Sequence, residues 1–209
     1  MFFKSLLVSF LFSAAVMAAP VELEARQSTS CSAVQLVHAA GTGEMGLGIV
    51  GGPLARALAS AVPGTTSHAI PYSTIAEYLV TVQAGASMTA QYLASQSARC
   101  PEQKFILSGY SKGAMVMHNT KLNDSVKSKV ISVLVFGDPM RSMRTAAWPI
   151  NSPSVNTSPR AGGDNQNVAS FCNTGDMFCS PPGTIFPHLA YPTDGSINAA
   201  AKFAAQTNA

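Results

Sequence analysis

Apolar and polar positions along this chain switch repeatedly between a strand-like and a helix-like period. Ala33 to Ala39 (AVQLVHA) reads as a first strand, followed by a glycine-rich loop from Gly41 to Gly48. Pro53 to Val62 predicts a helix ended by Pro63-Gly64. Thr66 to Tyr72 reads as a second strand, interrupted by Pro71. From Thr74 to Arg99 the residues Ile75, Tyr78, Leu79, Val82, Met88, Tyr92 and Leu93 recur at helical spacing, which predicts the longest helix. Phe105 to Gly109 is the next strand, and Val130 to Phe136 (VISVLVF) is apolar enough for a parallel strand buried on both faces. Arg141 to Gln166 loses periodicity and fills with Pro, Ser, Asn and Gly, which predicts a long surface excursion packed down by Trp148. Val168 to Cys172 is the last strand and Ile197 to Gln206 a terminal helix. Strands alternating with helices indicate an α/β fold with a parallel sheet covered on both sides. No internal repeat is visible.

Composition narrows this picture. The chain has 209 residues, enough for one α/β domain with a real core. Hydrophobic content of 47% against 11% charged marks a folded chain and not a disordered one. A formal net charge of +3, without a basic cluster, does not support nucleic-acid binding. Lys121, Lys127 and Lys129 read as a solvated face. Residues 1–19 have a positive start, a short apolar run from Ser5 to Val16 and small residues at Ala18-Ala19, as a secretory signal peptide does. Residues 20–26 read as a short pro-segment, and 27–209 as a single secreted domain. The apolar run is too short for a stable membrane span, and no later one approaches the ~20 residues needed.

Four cysteines in a secreted chain should pair, in one of three ways. Cys31–Cys100 with Cys172–Cys179 is the favoured pairing, adding about 4 and about 2.5 kcal/mol on a chain-entropy model. A metal reading is poor, because no C-x-x-C or His-rich spacing accompanies them. Asn123-Asp-Ser125 and Asn156-Thr-Ser158 are glycosylation sequons suited to surface loops.

The chemistry centres on Lys104 to His118, KFILSGYSKGAMVMH, where a strand runs into Gly109-Tyr-Ser-Lys-Gly113 and then a helix. This G-x-S-x-G at a strand-to-helix turn is the nucleophile-elbow pattern. The tight turn admits only hydrogen at Gly109 and Gly113. It raises Ser111 Oγ above the sheet and puts the Lys112 amide at a helix N-terminus, where it can donate to an oxyanion. The Gly41–Gly48 loop lacks the Lys-Ser/Thr and the spacing of a phosphate cradle, and is read instead as passing close to something at the carboxyl end of the sheet.

A serine hydroxyl needs a base, and the base an orienting carboxylate. His38 and His68 lie in or beside the first two strands, and His118 lies two turns down the elbow helix. All three read as structural. His188 follows the last strand in a proline-bounded loop and satisfies the order serine, acid, histidine. Asp124, Asp138, Asp164 and Asp176 lie between serine and base. Asp138 is a serious rival at the end of a buried strand, its bland role being a turn before Pro139. Asp176 is favoured because a Cys172–Cys179 ring would hold its carboxylate rigidly.

Cys31 before the first strand, GTGE at 41–44, GYSKG at 109–113, CNTGDMFC at 172–179 and PHLAY at 187–191 resemble the fungal cutinases and cutinase-like serine esterases, which include acetylxylan esterases. The resemblance runs over about residues 31–205. It implies a three-layer fold with a central five-stranded parallel sheet, a minimal α/β-hydrolase without a lid. By position it makes Ser111 the nucleophile, Asp176 the acid, His188 the base, and Thr42 with Lys112 the oxyanion-hole donors. It also implies the same cysteine pairing. No cofactor or metal is implied, and the expected partner of this monomer is an ester, from a polyester surface or a small molecule. Ile185, Phe186 and Leu189, with Ile75 and Leu79, would form an apolar rim or belong to the core. One departure stands out, because the family usually has glutamine after the nucleophile. Lys112 there would either place an ammonium at the pocket mouth, acting on the imidazole or on acidic substrates, or be a solvated lysine without a role. The competing readings are a carbohydrate deacetylase with the same triad and a non-catalytic secreted interaction protein on the same scaffold.

Overall fold

Five apolar runs pair into one parallel sheet of order β2-β1-β3-β4-β5: β1 (Val34–Ala39), β2 (Thr66–Ala69), β3 (Lys104–Tyr110), β4 (Val130–Phe136) and β5 (Val168–Phe171). The structure, a computed structural model, describes residues 31–141 and 167–207. The predicted signal peptide and pro-segment, most of the excursion after Arg141, Trp148, Asp164 and Asn156 lie outside the described residues. Among the described residues no helix is long and apolar enough to cross a membrane.

The helices between the strands are α1 (Gly48–Ala61), α2 (Leu79–Arg99), α3 (Lys112–Asn119) and α4 (Asp124–Lys127), and α5 (Ile185–His188) and α6 (Ser196–Thr207) follow the last strand. Alternating side chains send Leu36, Ile106, Leu134 and Phe171 to one face of the sheet, where they pack with Leu54 and Leu58 of α1 and Ala200 and Phe203 of α6. Val37, Leu107, Val133 and Val135 go to the other face, against Val82 and Leu93 of α2 and Val116 of α3. Both faces of β3 and β4 are thereby buried, as parallel strands with crossover helices require. A disulfide ties Cys31, just before β1, to Cys100 at the end of α2.

Register decides where the site lies. Tyr110 is level with Phe136, and Phe136 with Phe171, so β3, β4 and β5 finish at one edge. The strand order also reverses between β1 and β3, and ligands of open α/β sheets bind beyond the carboxyl ends of the strands at such a point.

Three predicted elements have bounds that differ by three residues or more. The second strand stops at Ala69 instead of Tyr72, because Pro71 has no N–H to continue the ladder. The first helix begins at Gly48, five residues before Pro53, and Glu44 Oε1 accepts the Ile49 amide in its opening turn. The long helix begins at Leu79 instead of Thr74. Ile75 and Tyr78 fit the helical spacing, but the carbonyls of Ser73, Ile75 and Glu77 all converge on the Lys112 ammonium. Helical carbonyls lie parallel to the axis and cannot meet at one point.

Candidate active site

Between β3 and α3 a single residue, Ser111, turns the chain, with φ 53 and ψ −117. It is the one non-glycine with positive φ among the described residues. Such a conformation costs about 1–3 kcal/mol and persists only when its surroundings over-determine it. Here two glycines do so. A Cβ on Gly109 would lie 2.3 Å from the Gly113 carbonyl oxygen, and one on Gly113 would lie 1.9 Å from that of Ala39. With hydrogen at both positions, β1, β3 and α3 close to backbone contact. The Ser111 amide donates to Phe136 O at 2.9 Å, tying the elbow to the end of β4. Lys112 opens α3, so its amide belongs to the first turn, which has no intrahelical acceptor.

Past β5 the chain enters a small ring closed by the Cys172–Cys179 disulfide. Hydrogen bonds from the Asp176 amide to Asn173 O and from the Ser180 amide to Asp176 O brace it. The Asp176 carboxylate is fully buried. Its Oδ1 accepts the Phe178 amide at 2.9 Å, and its Oδ2 accepts the Tyr191 hydroxyl at 2.6 Å and His188 Nδ1 at 2.8 Å. Burial disfavours charge there, but the hydrogen bonds from Tyr191, His188 and the Phe178 amide outweigh it. The carboxyl is held below its usual range. With Nδ1–H donating to the carboxylate, Nε2 is the basic nitrogen of the neutral ring.

His188 ends the one-turn helix α5 and is itself buried. Its ring stacks on Tyr110 at 5.0 Å between centroids and meets Phe178 at 4.5 Å. It also lies against Gly137, where a Cβ would come within 2.5 Å of His188 Cε1. Tyr110, the residue before the serine, donates its hydroxyl to His188 O at 2.8 Å. Ser111 and His188 thus share one end of the sheet, although no hydrogen bond joins Ser111 Oγ to the ring among the described residues.

The other candidates are engaged elsewhere. Asp138 is fully buried, its Oδ2 2.7 Å from His118 Nε2 and its Oδ1 accepting the Met140 amide at 2.8 Å. The rival acid therefore serves a turn and a second histidine, not His188. Asp124 is exposed and pairs with Lys127. His38 is buried beside Ser108 Oγ, and burial lowers its pKa to about 3. His68 stacks on Tyr92 at 3.6 Å. Asn123 caps α4, its side chain accepting the Val126 amide at 3.0 Å.

On the opposite side of the elbow, the glycine-rich loop is tied down by Glu44. Its Oε2 accepts the Gly41 amide at 2.6 Å, and a Cβ on Gly48 would lie 2.3 Å from that oxygen. A Cβ on Gly41 would lie 2.8 Å from the Tyr110 ring, so the loop rests directly on the elbow strand. Thr42 is exposed, and its Oγ1 lies 2.9 Å from the Tyr78 hydroxyl. Lys112 overturns both alternatives drawn from the sequence. Its side chain is neither solvated nor at a pocket mouth, but fully buried with Nζ surrounded by the three loop carbonyls.

Sequence reasoning missed Tyr191, which sits inside the PHLAY motif with its role unread. It also missed the His118–Asp138 pair and Tyr78. The last two carried no signal, since neither lies near its partner in the chain.

A strained serine elbow and a buried aspartate–histidine pair, delivered by separate loops to one end of a parallel sheet, define an α/β serine hydrolase. The chain belongs to the cutinase family, whose model matches residues 30–207. It is 36% identical over 201 residues to cutinase CUT1 of Coprinopsis cinerea, covering 92% of this chain and 93% of that one. The Trichoderma reesei cutinase solved with a phosphonate inhibitor superposes with a TM-score of 0.68 at 26% identity, over 86% of this chain and 78% of the other. An acetylxylan esterase structure superposes at 0.66 and 25%, over 83% and 97%. The chain spans 62% of the length of the Kineococcus radiotolerans cutinase, to which it is 32% identical. Its enzyme class is serine carboxylic ester hydrolase.

Proposed function

We propose that the protein is a secreted esterase that hydrolyses carboxylic esters through an acyl-enzyme on Ser111, with His188 as base and Asp176 as its orienting acid. The observation that carries this reading is the buried Asp176–His188 contact of 2.8 Å beside the strained serine. His188 takes the Ser111 proton as Oγ attacks the ester carbonyl. The amides of Thr42 and Lys112 receive the oxyanion, each strong donor contributing about 3–4 kcal/mol in comparable sites. The alcohol leaves with the proton from His188, and water repeats the sequence on the acyl-enzyme. Asp176 keeps the imidazole in one tautomer and offsets its charge.

The substrate class we favour is an acyl ester of short or medium chain, or a polyester surface. Phe186 is 78% exposed and Leu189 50% on either side of His188, while Ile75 is 62% exposed on the loop joined to Thr42 and Leu79, which opens α2, 90%. That much exposed apolar surface suits acyl chains better than sugars. Deacetylation of a carbohydrate is the second reading, favoured by the similarity to an acetylxylan esterase. Two disulfides support secretion, and exposed Asn123 is the proposed glycan site within the described residues.

Purified protein is assayed on p-nitrophenyl butyrate beside Ser111→Ala. Equal hydrolysis by the two removes the nucleophile assignment, and inactivity of both on every ester tried favours the non-catalytic reading. Comparing acyl chain lengths, cutin and acetylated xylan then separates the two esterase readings.

A further inference from the structure

The elbow needs the amide of Lys112 and nothing from its side chain. Yet that side chain is fully buried, and an ammonium withdrawn from water is costly unless each of its three N–H donors is met. All three are met by one loop. Nζ donates to Ser73 O at 3.0 Å, Ile75 O at 2.6 Å and Glu77 O at 2.8 Å. The rings of Tyr72 and Tyr78 lie 5.5 and 5.2 Å from it. Burial lowers the Lys112 pKa, and the Glu77 carboxylate opposes that shift.

The same loop faces the other way through its remaining residues. Thr74 O accepts the Gly43 amide at 2.8 Å, and Thr74 Oγ1 donates to Glu44 O at 2.7 Å. Tyr78, immediately after the last carbonyl on Nζ, places its hydroxyl 2.9 Å from Thr42 Oγ1. Glu77 locks this end to α2 by accepting the amides of Val80 and Thr81. A continuous set of bonds therefore runs from the residue after the nucleophile, through an otherwise exposed loop, to Thr42.

We propose that Lys112 is a positioning residue for ester hydrolysis: its buried ammonium holds the Ser73–Tyr78 loop, and through it Thr42, at the separation from the Lys112 amide that an oxyanion requires. The inference rests on the serine-esterase reading above, in which the Thr42 and Lys112 amides receive the oxyanion. One residue then sets both sides of the hole, its backbone supplying one donor and its side chain placing the other.

The test uses p-nitrophenyl butyrate with rates normalised to active sites titrated by a phosphonate, so that lost folding does not count as lost catalysis. Lys112→Met keeps most of the stem and removes the donors. Its kcat is expected to fall about 100-fold, the scale of a small misplacement of catalytic groups, with KM changing less than about threefold. Tyr78→Phe lowers kcat in the same direction, and adding it to Lys112→Met costs nothing further, because both cut one path. Propylammonium, which replaces the missing stem and charge, restores kcat to Lys112→Ala, and propanol does not. A wild-type kcat in Lys112→Met overturns the proposal, as do losses that simply multiply in the double variant. Tyr78 is 40% exposed, so Tyr78→Phe folds even where the lysine variants do not. An unchanged kcat for it alone also overturns the proposal. Failure of the underlying reading looks different: Ser111→Ala then hydrolyses the ester as fast as wild type.

Discussion

Replacing Tyr191 with phenylalanine removes one oxygen from the middle of the site. The phenol is fully buried, donates to Asp176 Oδ2 at 2.6 Å and accepts the Asn173 amide at 3.1 Å. Its ring packs edge-on against Tyr110, Phe136 and His188, contacts that phenylalanine keeps. The variant therefore isolates these two hydrogen bonds and a weaker contact of the hydroxyl with Cys179 Sγ at 3.5 Å. One reaches a charged group, the kind that contributes about 1.5–3 kcal/mol, so stability should fall by about 2–3 kcal/mol with no change in fold. The effect on pH dependence has a definite sign. Tyr191 is among the bonds that hold the Asp176 carboxyl below its usual range, so it contributes stability that is present above the ordinary carboxyl pKa of 3.8 and is lost as pH falls below it. The penalty of the variant should therefore be full at neutral pH and shrink in acid. Urea unfolding of wild type and Tyr191→Phe across that range measures it, and ester hydrolysis at neutral pH, expected to fall about tenfold as the carboxylate loosens, checks the site. A penalty that is the same at every pH would refute the reasoning and reduce Tyr191 to packing.

Gly113→Ala should destabilise by about 3 kcal/mol or more, because its Cβ would sit 1.9 Å from the Ala39 carbonyl oxygen; urea unfolding checks this. Replacing Cys172 and Cys179 by alanine opens a ring seven residues in span, worth about 2.5 kcal/mol by chain entropy. Because Asp176 sits inside that ring, kcat at a temperature where the variant is still folded should fall as well. His38 provides a pH signature of stability. Its folded pKa of about 3 lies below the ordinary 6.5, so the unfolded chain takes up a proton that the folded one refuses. Stability from this group is full above pH 6.5 and declines towards pH 3, by about 1.4 kcal/mol per unit. His38→Gln should remove that slope in denaturant titrations at several pH values, and an unaltered slope would rule the assignment out.

Much of this was legible in the residue pattern, and the exceptions share one cause. VISVLVF read as a strand covered on both faces, and the glycines around Ser111 announced a turn where no Cβ fits. Asp176 and His188 were legible as a pair because one follows the last strand inside a cysteine-bounded loop and the other follows on a proline-bounded one. What hydrophobic periodicity does not record is the direction of a carbonyl. Ile75 and Tyr78 fall at helical spacing, and nothing in their identity says that the peptide groups around them turn inward to an ammonium from another element. Lys112 was misjudged for the same reason. A lysine is taken as solvated by default, and its burial depends on acceptors more than thirty residues away. The His118–Asp138 contact, between α3 and the end of β4, was hidden likewise.

Carbonyl oxygens converging on one point are how proteins strip water from potassium and hold it. In this chain the cation in that position is covalently attached to the helix beneath it. Its occupancy has no dissociation constant and does not vary with ionic strength, chelators or the potassium content of the surroundings. For the secreted enzyme proposed above, the Ser73–Tyr78 loop would thereby keep one arrangement from one medium to the next.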